Sequence, residues 1–141
     1  MSRIYWDSML FVYMLEAHPR FGPRVRQIHK QMLERGDRLC TSAFTVGEVL
    51  TGPQKAGAAA VVAELRGYFA SEEIDLVPFT NSTAEEYSRI RAAHSVLPAD
   101  AIHLASAAQV RADLFLTNDP KLLRLHVPGI TFIAGLEAKL F

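Results

Sequence analysis

The chain is predicted to adopt an α/β fold in which a parallel sheet is covered on both faces by helices, and two observations carry that expectation. Short apolar, strand-like runs alternate with longer helical stretches from one end of the chain to the other. Acids recur at the junctions between them, with Asp7, Glu48, Asp100 and Asp119 each just after or just before such a run. At 141 residues, half of them hydrophobic, the chain is sized for a single domain spanning 1–141 with a real core.

Ile4–Trp6 is a β-rich run ending at Asp7 and Ser8, and Ser8 is positioned to cap a helix over Met9–Glu16. His18–Pro19 and Gly22–Pro23 punctuate the connection to a second helix from Arg24 to Arg35. Val25, Ile28, Met32 and Leu33 form its apolar face, and Gly36 is its C-cap. Arg38–Thr41 reads as the second strand. Ser42 caps a third helix carrying Phe44, Val46, Glu48, Val49 and Leu50, which Gly52–Pro53 is expected to break.

An Ala-rich helix over Lys55–Phe69 follows, then a strand over Ile74–Phe79 and a helix capped by Asn81 or Ser82. Pro98 opens the helix Ala99–Val110, and Leu114–Leu116 is the fourth strand. A short helix near Lys121–Leu125, a last strand Ile130–Ile133 and a small terminal helix over Gly135–Phe141 complete the expected order.

Direction brings the four acids together. Asp7 follows the first strand and Asp119 the fourth, so both lie at the carboxyl edge of the sheet. Glu48 sits in the first turns of the helix that leaves strand two. Asp100 begins a helix that runs back towards the start of strand four, so its N-terminus belongs at the same edge. In open parallel sheets, ligands bind beyond the carboxyl ends of the strands.

Each acid alone has an ordinary explanation. Asp119 before Pro120 is a good N-cap, Asp100 complements a helix dipole, and Asp7 could cap the first helix in place of Ser8. Asp100 and Glu48, however, share helical faces with apolar neighbours, where an acid is costly unless it is paired or metal-bound. Four crowded carboxylates repel one another and call for a counterion. Their hard oxygens select Mg²⁺ or Mn²⁺ over zinc. The chemistry suggested is metal-dependent phosphodiester hydrolysis, by one ion or by two.

The formal charge is zero, with 15 basic and 15 acidic side chains, which is unpromising for a nucleic-acid binder. Metal neutralisation of four acids leaves fifteen basic groups against eleven acids, an excess of four. The single cysteine, Cys40, excludes an internal disulfide, fits a reducing cytoplasmic setting and reads as a small buried hydrophobe. The apolar run Met9–Leu15 is too short to span a bilayer and has no basic cluster ahead of it, so neither export nor a membrane span is expected.

Taken in order, four segments resemble the PIN domain, and within it the VapC-like toxins of bacterial toxin–antitoxin pairs. They are Ile4-Tyr5-Trp6-Asp7-Ser8; Ala43-Phe44-Thr45-Val46-Gly47-Glu48-Val49-Leu50; Leu97-Pro98-Ala99-Asp100-Ala101-Ile102-His103-Leu104-Ala105-Ser106-Ala107; and Leu116-Thr117-Asn118-Asp119. The resemblance covers essentially the whole chain. It implies a three-layer fold with about five parallel strands in the order 3-2-1-4-5, placing the switch point between strands one and four. It also implies an Mg²⁺- or Mn²⁺-dependent endoribonuclease with Asp7, Glu48, Asp100 and Asp119 as the catalytic and metal-binding acids. RNA is the implied substrate, with a homodimer and a cognate antitoxin as partners.

Family members usually follow the first Asp with Thr-Asn; here Ser8–Met9 stands instead. Ser8 keeps a hydroxyl that can orient a carboxylate or a water, whereas Met9 loses the amide. Thr117 and Asn118 are retained as contacts to phosphate or to the acids. His103, three residues after Asp100, reads as a packing or hydrogen-bonding group rather than a ligand. Arg20, Arg24, Arg26 and Lys30 are candidates for phosphate or an acidic antitoxin tail, or an ordinary exposed helical face. Two other readings remain open here: a PIN-like module that binds RNA or protein without cutting, and a receiver-like phosphoacceptor with Lys121 as its lysine.

Overall fold

The computed structural model describes residues 1–141. Its elements, in order, are β1 (Arg3–Trp6), α1 (Ser8–Leu15), α2 (Gly22–Arg35), β2 (Arg38–Ser42), α3 (Ala43–Lys55), α4 (Ala59–Phe69), β3 (Ile74–Val77), α5 (Asn81–Ala93), α6 (Pro98–Gln109), β4 (Leu114–Leu116) and β5 (Phe132–Ala134). All five strands are parallel, in the order β3-β2-β1-β4-β5, as the family resemblance implied.

Two cores sandwich the sheet, and the strand period of two decides which residue enters which. Ile4 and Trp6 of β1 turn to one face with Leu39, Ile74 and Leu116, where they meet Leu10, Phe11, Val25, Ile28, Met32, Val49 and Phe69 from α1 to α4. Tyr5 between them turns to the other face with Cys40 and Phe115, against Ile90 of α5 and Ala101, Leu104, Ala105 and Ala108 of α6. The small residues of α6 let that helix lie close to the sheet. Tyr5 and Phe115 stack with ring centroids 5.1 Å apart.

Several local expectations are corrected. Asp7, not Ser8, caps α1: its carboxylate accepts the Ser8 N–H. Gly52–Pro53 does not break α3. The helix runs on to Lys55 because proline there forfeits a single backbone bond close to the end, and Ala56 N–H still reaches the Gly52 carbonyl. Gly57, in the left-handed region at φ 66°, separates α3 from α4, so α4 starts at Ala59 rather than Lys55. Thr80, not Asn81 or Ser82, caps α5, with its N–H held by Thr83 Oγ1 at 3.0 Å.

The stretch after Pro120 forms turns rather than a helix, since Pro120 and Pro128 leave too few residues to repay helix nucleation. The last strand begins at Phe132. Ile130 is buried in the core instead, and Phe132 on the sheet edge is exposed. No terminal helix forms over Gly135–Phe141. Arg24 bonds the Leu136 carbonyl, which such a helix would pair with the Leu140 N–H, at 2.6 Å, and Ala138 O at 2.9 Å. Gly36 does end α2 in the left-handed conformation, φ 73°.

Candidate active site

At the carboxyl end of the sheet, the topology reverses between β1 and β4. These strands are hydrogen-bonded neighbours, and the ladder extends one residue further through Asp7 N–H to Leu116 O at 3.0 Å. Helix α3 rises on one side and α6 on the other. A cleft of about 450 Å³ opens between them. Asp7, Glu48, Asp100 and Asp119 all line it, together with Ser8, Met9, Tyr13, His103 and Asn118.

Asp7 is the most constrained of the acids. Its Oδ1 accepts the Ser8 N–H at 2.7 Å, with Ser8 Oγ at 3.4 Å, and its Oδ2 accepts the Thr117 hydroxyl at 2.8 Å. Thr117 is fully buried beneath the cleft, so it braces Asp7 rather than facing a ligand. Its oxygen also accepts the Asp119 N–H at 3.1 Å, tying two of the acids to one hydroxyl. Asp119 Oδ1 in turn accepts the Lys121 N–H at 3.0 Å, so this residue does cap the Pro120 turn while lining the cleft.

Glu48 reaches in from α3. Its Oε1 lies 2.6 Å from His103 Nε2, and the opposite ring nitrogen, Nδ1, lies 2.8 Å from the Tyr5 hydroxyl. Asn118 Nδ2 donates to the Tyr13 hydroxyl at 3.1 Å. Met9 lines the cleft and is exposed, contributing no polar contact there.

Electrostatics ties the fourth acid to the others. Partial burial is the main cause that raises the Asp100 carboxyl above the ordinary carboxylate range. The negative charges of Asp119, Asp7 and Glu48 push in the same direction, and His103 opposes them. This is the like-charge crowding expected of carboxylates sharing one site.

The donor set, four hard carboxylates around a polar cleft, suits Mg²⁺ or Mn²⁺. As the side chains stand, no three His, Cys, Asp or Glu groups are gathered around one point as ligands. The fit therefore rests on donor chemistry and convergence. Cys40 lies in the core, its thiol pushed up to about 12, chiefly by burial.

The basic cluster on α2 and its approach divides. Arg20 lies over the Phe21 ring and lines a hollow that shares Asn118 and Pro120 with the cleft, whereas Arg24 is committed to the C-terminal carbonyls. Lys121 is not among the residues lining the cleft. The Tyr5–His103–Glu48 connection is not evident from the sequence. Its one visible trace is that His103 follows Asp100 by three residues on the same helix.

The fold is shared with known structures. VapBC2 from Rickettsia felis bound to a promoter DNA fragment matches with a TM-score of 0.74 at 14% identity, covering 94% of this chain and 98% of that one. A toxin–antitoxin complex from Klebsiella pneumoniae matches with a TM-score of 0.63 at 22% identity, covering 90% of this chain and 94% of that one. FitAB bound to the IR36 DNA fragment matches with a TM-score of 0.57 at 17% identity, covering 94% of each chain. No curated protein sequence matches significantly. The family model for the PIN domain matches residues 4–127, a span that takes in all four segments quoted above, from β1 to Asp119, and the chain therefore belongs to the PIN domain family.

Proposed function

We propose that this protein is a metal-dependent endoribonuclease, hydrolysing RNA phosphodiester bonds, and that it is the toxin of a type II toxin–antitoxin pair. The convergence of Asp7, Glu48, Asp100 and Asp119 on one cleft at the switch point is the observation that carries the reading. Membership of the PIN family supports nuclease chemistry, and the likeness to toxin–antitoxin structures supports the antitoxin partner.

In this reading the four acids hold Mg²⁺ or Mn²⁺. When bound, the ion makes water more acidic and neutralises charge developing on the phosphate. Asp7 is fixed by Ser8 and Thr117 on its two oxygens, so it anchors the site. Asp119 shares the Thr117 brace, and Asp100, partly buried among like charges, is relieved of their repulsion by a cation. Asn118 and Ser8 are near enough to the cleft to meet phosphate oxygens. The same reading includes a homodimer in the cytoplasm. No helix of the chain is long and apolar enough to cross a membrane.

The test is Mn²⁺ titration and RNA cleavage by antitoxin-free protein, alongside Asp7→Asn and Asp100→Asn. Both variants are expected to lose saturable Mn²⁺ binding, cleavage and growth arrest on induced expression. Undiminished cleavage in both would refute the reading. RNA or antitoxin binding without cleavage by the unaltered chain would replace it with a silent binding module.

A further inference from the structure

We propose that His103 is a positioning residue that fixes Glu48 for the divalent ion, and that Tyr5 fixes His103 in turn. The proposal rests on the metal-dependent reading above and adds to it two residues that are not carboxylates. Three elements meet in this arrangement: Tyr5 from the central strand β1, His103 from α6 and Glu48 from α3. The distances are 2.8 Å from the Tyr5 hydroxyl to Nδ1 and 2.6 Å from Nε2 to Glu48 Oε1.

The proton positions follow from what each partner is able to do. An ionised carboxylate only accepts, so Nε2 carries the hydrogen and donates it to Glu48. Nδ1 is then the acceptor, and the Tyr5 hydroxyl donates to it. Tyr5 is fully buried, so its hydroxyl is shielded from water and directed at His103 Nδ1.

The imidazole has little freedom to turn. The side chain of His103 is 3% exposed, against 33% for Glu48. The Tyr5 ring meets its edge at 5.9 Å between centroids and the Phe44 ring at 5.5 Å, both T-shaped. Phe44 and Glu48 are four residues apart on α3, so one helical face supplies both the wedge and the carboxylate.

This arrangement solves a local problem. Glu48 is the most exposed of the residues in the chain of contacts, sits on a long flexible side chain, and has acids for neighbours. Without a partner it would swing to solvent and away from the other carboxylates. His103 holds one of its oxygens, while Oε2 takes no hydrogen bond and remains available. Nε2 also lies 3.7 Å from Asp7 Oδ1, so the same N–H faces both acids and offsets part of their repulsion. Groups that orient metal-binding side chains in this way typically change metal affinity by about 10–100-fold when removed.

The experiment measures Mn²⁺ affinity calorimetrically on EDTA-stripped protein, with urea unfolding of the metal-free protein run in parallel. His103→Leu is expected to weaken Mn²⁺ binding by about 10–100-fold. His103→Gln retains an amide N–H near the place of Nε2 and is expected to restore most of the affinity. Tyr5→Phe removes one oxygen, should weaken binding several-fold, and should add nothing in the His103→Leu background, because it acts through that ring. It also carries the test if His103→Leu does not fold.

Folded His103→Leu or Tyr5→Phe protein with unaltered Mn²⁺ affinity and only lowered stability would overturn the proposal and leave the nuclease reading standing. Absence of saturable Mn²⁺ binding by the unaltered chain would overturn the metal-dependent reading, and this proposal with it.

Discussion

Thr117 offers the sharpest test of how the site is held, because one buried hydroxyl serves two acids. Its Oγ1 donates to Asp7 Oδ2 at 2.8 Å and accepts the Asp119 N–H at 3.1 Å, with no exposure to solvent. Thr117→Val keeps the shape and removes both bonds. A hydrogen bond to a charged group contributes about 1.5–3 kcal/mol, and an unpaired buried N–H costs about 1–3 kcal/mol. Against this, Asp7 borders the cleft and can recruit water, and the added methyl returns about 1 kcal/mol of burial.

The expected net loss is about 2–3 kcal/mol, which corresponds to a fall in melting temperature of roughly 5–10 °C for a chain of this size. Urea unfolding of metal-free protein at neutral pH, with the slope unchanged, measures it. Thr117→Ser keeps the hydroxyl and should lose only the methyl contribution of about 1 kcal/mol. If valine proves as stable as serine, or the loss stays below about 0.5 kcal/mol, Thr117 does not brace the two acids and the argument from these distances fails.

Four further outcomes are expected. Asp100→Asn should stabilise the metal-free protein at neutral pH by up to about 1 kcal/mol, the effect being limited by solvent screening, and Mn²⁺ should reverse the ranking. The folded Asp100 carboxyl titrates above its unfolded value, so the native state keeps a proton that the unfolded chain has released. Its destabilising effect is complete above the raised value and vanishes as pH falls through it. The stability difference between variant and parent, followed by unfolding across pH, should therefore grow with pH. A difference that shrinks with pH would contradict this.

Gly129→Ala should cost about 2–4 kcal/mol, because φ is +99° and the new Cβ would meet the Ala108 backbone at 3.0 Å. Gly36→Ala, left-handed but in open space, should cost only about 1–2 kcal/mol by the same unfolding assay. Cys40, buried with its thiol pushed up to about 12, should react with a disulfide reagent only as fast as the protein unfolds. Complete labelling within seconds under native conditions would show the core to be open there.

The sequence by itself determined the α/β class, the parallel sheet and the rim on which the four acids meet. These follow from the order of strand and helix, since alternation constrains direction and direction places the starts of the helices that leave β1 and β2, and of the helix that leads into β4, at one edge. Local chemistry was also legible where it is strong: Gly36 after α2 and Ser42 before α3 cap as expected. It was less legible where neighbours compete. Pro53 reads as a breaker but sits too near a helix end to act as one, and the terminal segment, which forms no helix, is tied down instead by Arg24, distant in sequence.

Only the tertiary structure decided how the acids are held. Thr117 could be a ligand contact or a brace, and its complete burial makes it a brace. Tyr5 and His103 are separated by 98 residues. Nothing in either local pattern marks them as partners, because a side-chain hydrogen bond across that distance depends on which face of β1 turns to α6. Strand order supplies the convergence of charge. Packing between layers supplies the few hydrogen bonds that orient it, and those fall off too steeply with distance and angle to be read from spacing along a chain.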